Sequence, residues 1–178
     1  MDSNKSCLPQ LLVCLFFIGL GTSYGQSPLT NEYCNERFDF CLKYSSVLSQ
    51  KDISSNEDGI ILRSDNQDIH LRVFGYHNML DNNAAEELDN YFDMVNMEYP
   101  KLEAKWISAT KNDLDSNAWI RVGKIVYFVR TIVIGEDIIG LTFEVNRTKR
   151  LSFEEAEQIA KRLQQEIILV IREVETSF

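Results

Sequence analysis

Along this chain the apolar positions change period several times, and the changes mark out the elements. From Lys124 to Asn146 (KIVYFVRTIVIGEDIIGLTFEVN) β-branched and aromatic residues crowd two arms, and the polar, flexible break falls at Gly135-Glu136-Asp137. This predicts a long β-hairpin. In its first arm Ile125, Tyr127, Val129 and Val133 alternate with Val126, Phe128, Ile132 and Ile134, so both faces are apolar and the strand belongs inside a sheet. In the second arm Ile139, Leu141, Phe143 and Val145 make a core face, whereas Gly140, Thr142 and Glu144 make a wetter one.

Upstream, Phe38, Phe40, Leu42 and Tyr44 alternate with polar residues and read as a half-buried strand, preceded by a loose Ser27–Glu32 segment. Ser45 to Asp58 reads as a surface loop. Ile60–Arg63 and Ile69–Tyr76, separated by Asp65-Asn66-Gln67-Asp68, form a second hairpin. The period then lengthens: Leu88, Tyr91, Phe92, Val95 and Tyr99 recur every three or four residues. Asn83 with Glu86 is a capping box and Pro100 a stop, so a helix is expected over 83–98. Leu102–Thr110 and Ala118–Val122 are two further strands. The stripe Ala156, Ile159, Ala160, Leu163, Ile167, Val170, Ile171 and Val174, capped by Ser152 and Glu155, predicts one continuous C-terminal helix. With no βαβ alternation, the fold class is α+β: a mostly antiparallel sheet of about six to seven strands with two main helices packed on it. Two helices leave part of a doubly apolar sheet to be covered by the Ser45–Asp58 loop or by a partner.

The N-terminal run Leu11–Gly21 has the length of a secretory signal and falls short of the roughly 20 apolar residues needed to span a bilayer. Residues 1–25 are therefore expected to be a signal peptide cleaved after Gly25, with residues 26–178 as a single domain and no stable transmembrane anchor afterwards. Lipidation at Cys14 is disfavoured by the residues around it. A chain of about 150 residues can bury roughly 68–70% of its extended surface in one core. The formal charge of −9 argues against nucleic acid or anionic lipid as the main partner. After the leader only Cys34 and Cys41 remain. In an exported chain they are expected to form a disulfide, since a redox or metal pair would need CxxC spacing or further ligands.

The segments Arg37-Phe38-Asp39-Phe40, Leu42-Lys43-Tyr44, Asn56-Glu57-Asp58-Gly59, Leu62-Arg63-Ser64-Asp65, and Leu71-Arg72-Val73-Phe74-Gly75 with Asn78 form a series of strand ends and turns. Trp119 and Gly123–Tyr127 continue it. The series resembles a group of exported bacterial proteins of undefined activity, in which strands end in Tyr-Pro, Asn-Gly-Asp-Gly and Ser-Pro-Asp-Gly. Ser45 replaces the proline, Glu57 a glycine, and Asn66-Gln67 the Pro-Asp-Gly spacing. The resemblance implies the PsbP-like α/β/α sandwich shared with the Ran-binding Mog proteins, and as turn chemistry it speaks to fold rather than function.

Candidate chemistry is sparse. His70 sits mid-strand, where a covered imidazole is ordinary, and His77 lies at a strand end, a better place for a binding loop. The oxygen-rich Asn56–Gly59 and Asp65–Asp68 runs lack the EF-hand spacing and read as turns, so no metal and no cofactor is expected. Asn146-Arg147-Thr148 is a glycosylation sequon should the source be eukaryotic. Trp119, Arg121, Tyr127 and Arg130 could share an interaction face, although aromatic residues there are more often core or rim. The reading is a non-catalytic exported binding or accessory module of the cell envelope or secreted space. It would bind a protein or small ligand through Asp58, Tyr76, His77 and Asn78, with Trp119 and Arg121. The alternative is an envelope hydrolase using His77 with Asp58 or Asp81.

Overall fold

A computed structural model describes residues 29–146 and 153–171. The chain runs β1 (Leu29–Asn35), β2 (Phe40–Ser45), β3 (Gln50–Ile53), β4 (Gly59–Arg63), β5 (Ile69–His77), α1 (Ala84–Glu98), β6 (Ala104–Thr110), β7 (Asp115–Val122), β8 (Ile125–Ile134), β9 (Asp137–Asn146), α2 (Phe153–Gln165) and β10 (Ile168–Ile171). Seven strands form one sheet in the order β3-β4-β5-β9-β8-β7-β6, and all of its pairings are antiparallel. The hairpin foreseen at 124–146 is its β8–β9 centre. There Phe128 faces Phe143 and Ile132 faces Ile139 across the ladder.

Register sorts the side chains of this sheet onto two faces. On the first, Ile60, Leu62, Leu71, Val73, Leu141, Phe143, Val126 and Phe128 make one core with Phe38, Phe40, Leu42 and Tyr44 from the N-terminal hairpin and with Ala160 and Leu163 of α2. On the second, Ala118, Ile120, Val122, Tyr127 and Val129 pack against Leu88, Tyr91, Phe92, Val95 and Tyr99. Those last residues are the predicted stripe of α1. Asn83 caps that helix by accepting the Ala85 and Glu86 amides, while Glu86 reaches back to the Asn83 amide. Each interaction satisfies an amide the first turn would otherwise leave unpaired.

Four expectations are corrected. Ser27–Glu32 is not wholly loose: from Leu29 it enters β1, which pairs with β2. The Ser45–Asp58 loop contains β3, which borders β4 as an exposed edge strand. The continuous C-terminal helix ends at Gln165, and β10 replaces its last turns. Ile167–Ile171 is a run of five aliphatic residues that fits a strand as well as a helix stripe, and β2 offers it an open edge with Ile168 opposite Lys43. Lastly, one sheet becomes two. β1, β2 and β10 form a three-stranded sheet that covers the first face together with α2 and the buried Leu48. The leader, Gln26, Ser152, Val174 and the end of the sequon lie outside the described residues.

Cys34 and Cys41 stand directly opposite each other in β1 and β2 and form a disulfide, with Cα atoms 4.1 Å apart. The small sheet is locked to the large one at Gly75, where a Cβ would stand 2.2 Å from Phe38 Cγ. No helix among the described residues is long and apolar enough to cross a membrane.

Candidate functional site

The residues singled out in the sequence are split between places. Gly75 N donates to Asp58 O at 2.8 Å, so the Asn56–Gly59 turn and the end of β5 lie at one end of the sheet. The side chains there are largely committed to the turns themselves. Asp58 accepts from Asn56 Nδ2 at 2.7 Å and from Ser54 Oγ. Asn66 and Asp68 repeat this arrangement at 2.8 Å, with Ser64 Oγ on Asn66. Glu57 and Gln67 take the positive φ each turn requires. The oxygen-rich runs thus satisfy one another as turn chemistry. Asn78 closes the next turn, donating to Asn82 O at 2.8 Å and accepting Asn82 N at 3.0 Å. His77 points to the opposite side from Tyr76. Its Nδ1 lies 2.6 Å from Asp137 Oδ1 and its ring 5.5 Å from that of Phe38. The carboxylate at His77 is therefore that of Asp137, the first residue of β9 and its partner in the ladder, and not that of Asp58 or Asp81.

The aromatic-plus-arginine face is also redistributed. Trp119 is buried 5.1 Å from Phe128, with Arg121 and Arg130 on the same face. Arg130 is clamped by Asp115 at 3.0 and 2.7 Å. Tyr127, paired opposite Ile120, belongs to the other face, under α1. The four do not make one patch, because the β7–β8 register gives Tyr127 the opposite parity.

The register brings a different set together. His70, Arg72, Phe74 and Tyr76 of β5 stand beside Glu144, Thr142, Gly140 and Ile138 of β9 on the face that α1 covers. The helix, however, lies mainly over β6, β7 and β8, so the β5 and β9 part of that face is only half-buried, reached by α1 side chains such as Glu87 and Tyr91. Between the flank of α1 and this half-buried part lies a cavity of about 350 Å³, with Phe74, Tyr91 and Met94 on its walls and Arg72, Tyr76 and Glu87 at its rim. Gly140 helps to form it: a Cβ there would meet only Tyr76 Cε1 at 3.9 Å and Phe74 O at 4.0 Å. Thr131 and Thr142 add hydroxyl groups to the lining.

The polar groups are held in place. Tyr76 donates to Glu87 Oε2 at 2.9 Å, and Asn82 Nδ2 donates to Glu87 Oε1 at 2.6 Å. Burial, then the Glu87 carboxylate that accepts its proton, holds the Tyr76 phenol well above its ordinary range. Tyr91 is pushed up to about 12, chiefly by burial; its hydrogen bond to Thr142 and the charge of Arg72 pull the other way. Tyr127 is raised further by burial and by its bond with Tyr99. Burial also raises the Glu144 carboxyl, against the opposing charges of His70 and Arg72. His70 Nδ1 stands 3.8 Å from Glu144 Oε2. At neutral pH the site thus offers a protonated Tyr91 phenol, an exposed guanidinium and apolar walls, while the Tyr76 proton is committed to Glu87. Such a cleft suits holding an apolar body with a few oriented polar contacts.

Sequence reasoning placed Tyr76 with His77 and missed the rest of this groove. One signal was present: the wetter face of Gly140, Thr142 and Glu144 in an otherwise apolar hairpin. No protein-family model matches this sequence, and no curated protein sequence matches it. Among solved structures the chain is similar to cyanobacterial PsbP (CyanoP) from Synechocystis sp. PCC 6803, with a TM-score of 0.57 and 13% identity over 85% of this chain and 99% of that one. It is likewise similar to the Ran-binding protein Mog1p from Saccharomyces cerevisiae, with a TM-score of 0.52 and 9% identity over 78% of this chain and 94% of that one. At such identities the likeness is one of architecture, and the chain has a PsbP- and Mog1-like α+β fold.

Proposed function

We propose that this protein is a non-catalytic binding module of the cell envelope or secreted space, which takes an apolar or aromatic group in the groove between α1 and the half-buried part of the large sheet. The group belongs to a small ligand or to a segment of a partner protein. The observation that carries this is the cavity over Gly140, in the size range of small-ligand sites at about 300–1,000 Å³, walled by Phe74, Tyr91 and Met94. The Tyr91 phenol beside it stays protonated at neutral pH, which suits a hydrogen-bonding group. Export is supported by the N-terminal apolar run and by the Cys34–Cys41 disulfide. That a protein of the same fold binds Ran supports a macromolecular partner for this one.

Gly140→Val tests the reading, because the space above Gly140 accepts a side chain and the strand backbone favours a β-branched one. The isotope-labelled protein is titrated with small aromatic probes, indole and phenylacetate, and followed by amide chemical shifts. Shifts at Phe74, Met94 and Thr142 that vanish in the folded Gly140→Val variant are expected. Shifts confined to other parts of the molecule, or unchanged by the substitution, would overturn the assignment.

A further inference from the structure

The loops at one end of the large sheet expose apolar side chains that the groove does not use. Met79 is 87% exposed, Leu80 78% and Leu114 67%. They stand on a well-braced frame. Asn78 N donates to Glu136 O at 2.7 Å, Ala84 N to Asp113 O at 2.7 Å, and Val133 N to Leu114 O at 2.8 Å. The Asn78 side chain closes the turn that carries Met79 and Leu80. Three adjoining loops are thereby fastened to one another, so the backbone that displays the apolar tips is held and only their side chains remain to be ordered on binding. Exposure of this kind, preorganised on a frame, marks an interaction surface.

The charge around the tips indicates what fits them. Asp81, Asp113 and Glu136 lie in the same loops. The cations nearby already face carboxylates, Lys111 facing Asp89 and Arg130 facing Asp115, and the His77 ring lies against Asp137. The rim is negative, which repels an anionic lipid surface and favours a cationic one. We infer that the 78–83 and 111–115 loops are a docking surface for a partner protein with a basic contact face, whose apolar pocket receives Met79, Leu80 and Leu114. The three apolar tips are not among the residues that line the groove over Gly140, although Asn82 of the same loop holds Glu87 at its rim.

The test uses the full-length protein in cells that make it, with a photo-crosslinking amino acid in place of Leu80, of Leu114 or, as a control on the exposed edge strand β3, of Ile53. The same heterologous protein should be captured from Leu80 and Leu114 and not from Ile53. Purified, that protein should bind about tenfold more weakly to the Met79→Ser, Leu80→Ser double variant. Its affinity should also fall as salt rises from about 50 to about 500 mM, where screening removes the attraction of the rim. Asp81→Asn with Asp113→Asn should weaken binding, and Gly140→Val should leave it unchanged. Since Met79 and Leu80 are exposed, the serine variant keeps its fold, which circular dichroism verifies. A lipid adduct, a second copy of this chain, no adduct, or a captured protein indifferent to these substitutions and to salt would each overturn the inference.

Discussion

Gly75 can be used to measure how firmly the two sheets are joined. Its backbone is not in the left-handed region, so Gly75→Ala introduces no conformational strain. By restricting the unfolded chain it would stabilise the protein by about 0.4–1 kcal/mol if there were room. There is no room: the new Cβ would lie 2.2 Å from Cγ and 2.5 Å from Cβ of Phe38. Because Phe38 Cβ is one of the atoms struck, rotating the ring does not relieve the overlap, and the β1–β2 turn must retreat. Overpacking of this sort costs about 1–3 kcal/mol, so a net loss of about 1–2 kcal/mol is expected once the unfolded-state gain is subtracted. Phe38→Ala, at a buried ring, should cost about 3–5 kcal/mol by itself. In the double variant the overlap with the ring is gone and only that with the residue-38 Cβ, at 2.5 Å, remains to be relieved by a small backbone shift, so the combined loss should fall short of the sum by about 1 kcal/mol. Urea unfolding of the oxidised protein, followed by circular dichroism for all four members of the cycle, reads this coupling. Additive losses, or a neutral Gly75→Ala, would refute the proposed packing of Phe38 on Gly75.

Other expectations follow from single features. Asn83→Ala removes the acceptor of two α1 amides and should lower stability by about 1 kcal/mol in urea unfolding. Replacing Cys34 and Cys41 together with serine should cost about 2.5 kcal/mol by the entropy of the short closed loop, and a reductant should lower the unfolding midpoint of the wild type to a similar value and leave the variant unaffected. The raised phenols of Tyr76, Tyr91 and Tyr127 keep their protons when folded, whereas in the unfolded chain they ionise near 10.0. Above that pH the unfolded state binds fewer protons than the native one, so stability falls as pH rises. Of the seven tyrosines, these three should add their tyrosinate absorbance only together with unfolding, and a gradual rise in native protein from all seven would contradict the burial described.

How much was legible in the sequence depended on whether the cause was local. The β8–β9 hairpin, α1 and its Asn83 cap were readable because their signals lie within a few residues of where they act. The run Ile167–Ile171 was misread because its neighbour, β2, lies far away in sequence, and only that open edge decides between helix and strand. That Trp119 and Tyr127 are core residues agrees with the favoured reading, whereas their placement on opposite faces depends on a register across two strands that no single strand records. The groove was hidden for a related reason. Phe74, Met94 and Gly140 are ordinary residues of a strand, a helix and another strand, and they become a site because α1 covers β5 and β9 only in part. Asn56, Asp58 and Asn78 drew notice as polar residues near a strand end, and their polarity is largely spent within their own turns.

The pairing of β10 with β2 also sets an order of events during synthesis. The β1–β2 hairpin leaves the ribosome early, and the disulfide can close across it, yet the side of β2 that Ile168–Ile171 will occupy has no neighbour until almost the whole described chain has been made. Through that interval an unsatisfied strand edge persists beside Phe40 and Leu42, which are fully buried in the finished fold. Long-range closures of this kind are slow, and unpaired edges invite mispairing. The last described strand therefore acts as a latch, and until it arrives the nascent protein carries an open β edge beside residues of its future core.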